Sequence, residues 1–361
     1  MTGPFVHDVP ASRVVFGNGR LADVAAEVER LGCSRVMLVS GGPEAQYAVR
    51  VEQQLGERIV VLFTDVVMHV PVPVAQQAIA LAAREEVDVV IALGGGSSTG
   101  MAKAVALETG LPILAIPTTY AGSEMTSIWG LTENNRKTTG RDPRVLPRTV
   151  IYDPELTMSL PVDISAASGM NALAHLVEGF YAPGLSPLSA MQAQEGVRAL
   201  AASLPRVVAD PGDLQARGDA LYGAWLAGWT LGTTGMGIHH KICHVLGGAY
   251  NLPHAPMHSA VLPYATAFNT DAAPAAMEAI VRALNDAGMP ATNAASGIWD
   301  LARAIGAPTC LVDVGFDVER VEEAAAIIVA GKLINPRTVD VDGVVKLLRA
   351  ACIGKRPENT P

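Results

Sequence analysis

The first 155 residues alternate short apolar runs with amphipathic stretches. Residues 13–16, 35–39, 58–63, 88–93 and 113–116 are dense in Val, Ile and Leu, and read as strands buried on both faces. Between them, residues 21–31, 44–55, 74–85 and 101–108 space their apolar positions at helical intervals. Such alternation predicts a Rossmann-like parallel sheet covered on both sides. From about residue 157 the strand-like runs stop and the pattern turns helical, broken by turn signals such as Ala182-Pro-Gly and Asp210-Pro-Gly-Asp. The expectation is an α/β N-terminal domain over 1–155 and an all-α C-terminal domain over 156–361, with the ligand cleft between them. The charge-free segment 220–238 is expected to be a buried helix and not a membrane span, although Gly228 and Gly232 are four apart.

Composition narrows the function. Half of the 361 residues are hydrophobic and 17% are charged, as suits a globular enzyme with a large core. The formal charge of −9 and the lack of any basic run argue against a nucleic-acid partner. Four scattered cysteines without a C-x-x-C pair predict reduced thiols and a cytoplasmic protein. The N-terminal residues lack the basic and apolar regions of a signal peptide.

Two loops follow predicted strands, where open parallel sheets bind ligands. Leu93-Gly-Gly-Gly-Ser-Ser-Thr-Gly100 opens a helix, so its N–H groups and the helix dipole can hold a pyrophosphate. The same run also fits a simple tight turn. Next comes Ile116-Pro-Thr-Thr-Tyr-Ala-Gly-Ser-Glu-Met-Thr126, rich in hydroxyls that can bind a ligand or cap the loop itself.

Histidines concentrate in the second half. His239, His240, His244 and His254 lie within one stretch, and His258 follows one turn later. His240 and His244 share a helical face, Gly247 and Gly248 are expected to end that helix, and Pro253 to turn His254 back toward it. Upstream, Asn171, His175 and Glu178 fall at helical offsets among Ala, Leu and Val, which predicts a buried polar stripe needing partners.

These stretches together resemble the iron-containing (group III) alcohol dehydrogenase superfamily, of dehydroquinate synthase-like architecture, and within it the maleylacetate reductases. The motifs are Gly94-Gly-Gly-Ser-Ser-Thr-Gly-Met-Ala-Lys103, Pro117-Thr-Thr-Tyr-Ala-Gly-Ser-Glu-Met-Thr126, Met68-His-Val-Pro-Val72 and His239-His-Lys-Ile-Cys-His244. Gly100 replaces the acidic residue usual in the superfamily loop, as in the reductase branch. The resemblance implies NADH or NADPH bound by Ser40, Gly41, Gly94, Gly95, Gly96, Ser97, Ser98, Lys103, Thr118, Thr119, Tyr120 and Ser123. Gly41 stands where NAD-preferring relatives often carry an Asp, so tolerance of NADPH is expected.

Metal-dependent members hold a cation with an Asp and three His, and the matching positions here are Asn171, His175, His240 and His254. A neutral amide in place of the carboxylate leaves a dication uncompensated, so no metal is expected. Weak Zn or Fe binding by His175, His240 and His254 is the alternative. The implied reaction is reduction of the double bond of maleylacetate, a small dianionic keto acid, to 3-oxoadipate. His175, His240 and His254 would then steady the enolate oxygen, His244 would donate the proton, and Lys241 would meet a substrate carboxylate. A homodimer is implied as well, with no membrane partner. The competing readings are a metal-dependent alcohol or aldehyde oxidoreductase, a cyclising lyase of the dehydroquinate synthase type, and a dinucleotide sensor without chemistry.

Overall fold

The structure is a computed structural model that describes residues 5, 7, 12–133, 136–331 and 333–358. The chain divides between Leu160 and Pro161 into two compact units. The first unit contains, in chain order, β1 (Arg13–Phe16), α1 (Val24–Arg30), β2 (Val36–Ser40), α2 (Ala45–Leu55), β3 (Ile59–Phe63), α3 (Val72–Arg84), β4 (Val89–Gly94), α4 (Gly96–Thr109), β5 (Ile113–Pro117), β6 (Ile128–Glu133), β7 (Arg136–Arg141) and β8 (Thr149–Tyr152). Six of these strands form one parallel sheet in the order β1-β8-β5-β4-β2-β3.

The period-two alternation of strands sets the core. Along β2 and β4, Val36, Leu38, Val89 and Ile91 face one side, where Leu21, Val28, Val51 and Leu55 cover them. Met37, Val39, Val90 and Ala92 face the other side, against Ala75, Ala78 and Ala82 of α3 and Met101 and Val105 of α4. Small residues at helical spacing let α3 lie close to the sheet. From β2 the chain first adds β3 on one side, then crosses back to place β4 on the other. The loops leaving β2 and β4 therefore diverge, which makes this the switch point where ligands bind.

Two features depart from the expected strands. β8 was not anticipated, yet it fills the sheet between β1 and β5. The antiparallel ribbon β6–β7 was also unforeseen, because the Arg-Lys-Thr-Thr-Gly-Arg run of β7 has no apolar alternation to reveal it.

The second unit is helical: α5 (Val162–Gly179), α6 (Pro187–Ala209), α7 (Leu214–Thr233), α8 (Ile238–Tyr250), α9 (His254–Asn269), α10 (Pro274–Asp286), α11 (Ala294–Ala304), α12 (Val321–Ala330) and α13 (Val341–Ile353). α5 is buried from Ser165 through Gly179 and packs against α6, α7 and α9. Gly196 of α6 makes this possible, since a Cβ there would strike the Leu176 side chain. The charge-free segment falls mostly within α7, and among the described residues no helix is long and apolar enough to cross a membrane. α8 does not end at Gly247 and Gly248 but runs through them to Tyr250. Asn251, with φ 53°, supplies the left-handed turn that stops it.

Candidate functional site

In the first unit, β4 and β5 end side by side, with Gly94 opposite Pro117. Gly94 has φ 140°, and a Cβ there would run into Ser98 Oγ, so only glycine lets the loop turn this tightly. Gly95 stands in extended backbone before α4, and no side chain caps the helix. The first-turn N–H groups of such a helix have no partners within it, and its dipole favours an anion. Gly96 is exposed and Gly95 and Ser97 are half-buried, whereas Ser98 is buried beneath the loop. A Cβ at Gly95 would come within 3.0 Å of Thr119 Cγ2, so the bare glycine keeps open the gap between the two loops. This cradle fits a pyrophosphate.

The remaining residues of the first unit divide. Thr119 and Ser123 are partly exposed, while Ser40, Thr118 and Tyr120 are buried. Thr118 Oγ1 donates to Glu44 Oε1 at 3.2 Å, and Glu44 Oε2 lies 3.1 Å from where a Cβ of Gly41 would sit. A carboxylate thus fills the neighbourhood of Gly41, which the sequence suggested was uncharged. Burial pushes the Glu44 carboxyl above its usual range, partly offset by the Thr118 hydroxyl.

Lys103 turns inward and does not present a cation to a ligand. Its Nζ donates to the Ser123, Thr126 and Ile128 carbonyls at 2.7, 2.8 and 2.7 Å, and contacts Thr126 Oγ1 at 3.0 Å. It ties α4 to the loop that bears Ser123. Gly100 is explained by close approach, since a Cβ there would lie 2.8 Å from Val70 Cγ2 in the 68–72 run.

In the second unit, the helical offsets of α5 bring Asn171, His175 and Glu178 to one buried stripe. Glu178 reaches the start of α8. Its Oε1 accepts from the His239 N–H at 2.7 Å, and its Oε2 from the Gly237 N–H at 3.0 Å. Gly237 has no side chain with which to cap the helix, so a carboxylate from α5 does so. The same Oε2 accepts from His240 Nδ1–H at 2.5 Å. A carboxylate can only accept, which fixes the proton on Nδ1 and leaves Nε2 of neutral His240 as an acceptor. His175 Nδ1 lies 2.8 Å from that Nε2 and donates to it. Glu178, His240 and His175 form one hydrogen-bonded chain.

A second imidazole pair lies beside the first. His239 Nε2 and His258 Nδ1 are 2.9 Å apart, and the His258 ring lies 5.2 Å from that of His240 and 4.4 Å from that of His254. His239 and His258 are fully buried, and their pKa values fall well below the usual histidine range, first through burial and then through neighbouring imidazoles. His244 is half-buried, its ring 6.3 Å from that of His240. His254, the first residue of α9, is exposed. Lys241 rests its ammonium where a side chain at Gly331 would otherwise lie. The spacing of the histidines groups His239 and His258 with the cluster but gives them no part, and it gives Glu178 no role toward α8. The three-residue offset from His175 to Glu178 was the available signal.

The donor set that the resemblance implies for a metal does not fit a divalent cation as arranged. His175 and His240 direct their nitrogens at each other within a hydrogen bond. Glu178, the carboxylate bonded to this pair, is engaged on the far nitrogen of His240. Asn171 offers only a neutral amide, whose buried Oδ1 has no hydrogen-bond partner among the described residues. Among the described residues, the side chains compact enough to hold a metal are instead His239, Cys243 and His258, and there the two imidazoles already bond to each other.

Comparison with known proteins agrees with this architecture. The family profile for iron-containing alcohol dehydrogenases matches residues 11–154, and that for the C-terminal part of the same family matches residues 165–352. A maleylacetate reductase from Burkholderia cepacia is 48% identical over 98% of this chain and 99% of its own. The crystal structure of maleylacetate reductase from Agrobacterium tumefaciens is 42% identical, covers 99% of this chain and all of its own, and superposes with a TM-score of 0.93. An iron-containing alcohol dehydrogenase structure from Corynebacterium glutamicum is 45% identical over 97% of each chain, with a TM-score of 0.92. The chain belongs to the iron-containing alcohol dehydrogenase family, and within it to the maleylacetate reductases.

Proposed function

We propose that this oxidoreductase reduces the carbon–carbon double bond of maleylacetate to give 3-oxoadipate, with NADH or NADPH as reductant and without a catalytic metal. Family membership supports the substrate, and the uncapped glycine loop at the start of α4 supports the dinucleotide. Gly95, Gly96 and Ser97 hold the pyrophosphate there, with Thr119 and Ser123 beside it. When bound, the nicotinamide supplies a hydride with its electron pair.

Maleylacetate is a dianionic keto acid whose double bond is conjugated to its ketone. Addition at the carbon β to that ketone drives negative charge onto the ketone oxygen and gives an enolate. The Glu178–His240–His175 chain is the observation that carries the metal-free reading. In its neutral form, His175 Nε2 holds a lone pair. One more proton on the chain makes that nitrogen an N–H donor for the enolate oxygen, with the Glu178 carboxylate balancing the charge. His254 adds a second donor, and His244 gives the proton to the adjacent carbon. Lys241 meets a substrate carboxylate. The scattered cysteines support a cytoplasmic setting, and two-fold symmetry makes a homodimer the assembly of choice.

The test is NADH oxidation with maleylacetate before and after exhaustive chelation, repeated with His240→Ala. Turnover should survive chelation, and His240→Ala should lose about 2–4 kcal/mol of transition-state stabilisation in kcat/KM. Activity that vanishes on chelation and returns only with added iron or zinc would overturn the metal-free mechanism. Unchanged turnover in His240→Ala would remove the imidazole chain from it.

A further inference from the structure

The first unit places a carboxylate where no sequence motif announced one. We propose that Glu44 reads the adenosine ribose of the bound dinucleotide, accepting a hydrogen bond from the 2′-hydroxyl of NADH and repelling the 2′-phosphate of NADPH. This inference rests on the dinucleotide reading above and adds to it the discrimination between the two reductants.

Glu44 leaves the carboxyl end of β2, and the sheet order makes the gap between β2 and β4 its switch point. In sheets of this kind a glycine-rich loop after one strand holds the pyrophosphate, and an acidic group at the end of a neighbouring strand takes the ribose hydroxyl. The residue immediately after β2 is Gly41, which has nothing to offer. The Glu44 side chain folds back over it and brings Oε2 to within 3.1 Å of the missing Cβ. Its carboxyl carbon lies 3.3 Å from where a Cβ of Gly94 would be, at the edge of the pyrophosphate cradle. Two bare glycines thus make the room that one carboxylate fills.

Thr118 donates to Oε1, which holds the group in place and leaves Oε2 on the Gly41 side to accept from a ligand. The loop 41–44 reads Gly-Gly-Pro-Glu and offers no Lys or Arg that could pair with a 2′-phosphate. A second anion brought here meets a like charge without a compensating cation, and discrimination of this sort comes from the repulsion as much as from the new hydrogen bond. Glu44 is half-buried, so a ligand can reach it.

Dissociation constants of NADH and NADPH for the full-length protein, read from nicotinamide fluorescence, test this on wild type, Glu44→Gln and Glu44→Ala. Glu44→Gln keeps an oxygen to accept from Thr118, and its thermal melting should match wild type. Wild type should bind NADH at least ~10-fold more tightly than NADPH, and Glu44→Gln should narrow that ratio by roughly 10-fold. Equal affinities in wild type, or an unchanged ratio in both variants, would overturn the role of Glu44 and leave the dinucleotide site standing. Failure of wild type to bind either dinucleotide would overturn the site itself, and Glu44 with it.

Discussion

Glu178 serves two neighbours at once. It caps α8 through the Gly237 and His239 N–H groups, and it sets the tautomer of His240. Glu178→Gln separates these duties, because a glutamine oxygen can still accept from one N–H group while its amide nitrogen presents donors to His240 Nδ1. We expect a loss of ~1–3 kcal/mol in urea-induced unfolding, from the weakened cap and an ill-matched buried amide. We also expect kcat to fall by roughly 10²-fold, because the proton on His240 moves to the wrong nitrogen. A variant that loses stability but keeps wild-type kcat would reduce Glu178 to a cap. At this scale the sequence was informative about type more than about partners. Four-residue spacing marked His240 and His244 for one face, and the offsets of α5 marked Asn171, His175 and Glu178. Bonds spanning about sixty residues, from α5 to α8, leave no trace in local spacing.

Between elements, Lys103 is the clearest case of a residue whose motif misleads. Its place at the end of the glycine-rich signature suggested a ligand contact, yet its ammonium is enclosed by the 123–128 segment. Burial pushes its pKa down to about 7, while the Glu124 carboxylate draws it back up. Lys103→Met should leave three carbonyls without their donor and cost ~3 kcal/mol or more in denaturant unfolding. Dinucleotide affinity should fall only through the loosened loop that carries Ser123. An unchanged unfolding midpoint would show that the tether contributes nothing. The parallel strands of the core were legible because burial on both faces writes unbroken apolar runs. β7 was not, since a polar ribbon has no such run, and α8 outlasted its two glycines because tertiary burial of Ile242 and Leu246 outweighs their intrinsic cost.

For the molecule as a whole, the two fully buried histidines link stability to acidity. His239 and His258 are held neutral in the fold, with pKa values well below 6.5, whereas in the unfolded chain they titrate near that value. Below pH 6.5 the unfolded state therefore binds more protons, and stability falls as pH drops. Each group contributes a slope approaching ~1.4 kcal/mol per pH unit once the medium lies well below its unfolded pKa. Thermal melting across pH 7 to 5 should show this loss, and His258→Gln should make the slope shallower. An identical slope in the variant would assign the acid sensitivity to other groups.

The late strand β8 has a consequence for biosynthesis. β1 leaves the ribosome first, but its sheet neighbour is made only when Thr149–Tyr152 emerges. Until then β1 has no partner and β5 shows an open edge, so nascent chains halted short of Thr149 expose strand templates that invite aggregation. The sheet closes only after its last strand is made, and α5 follows ten residues beyond.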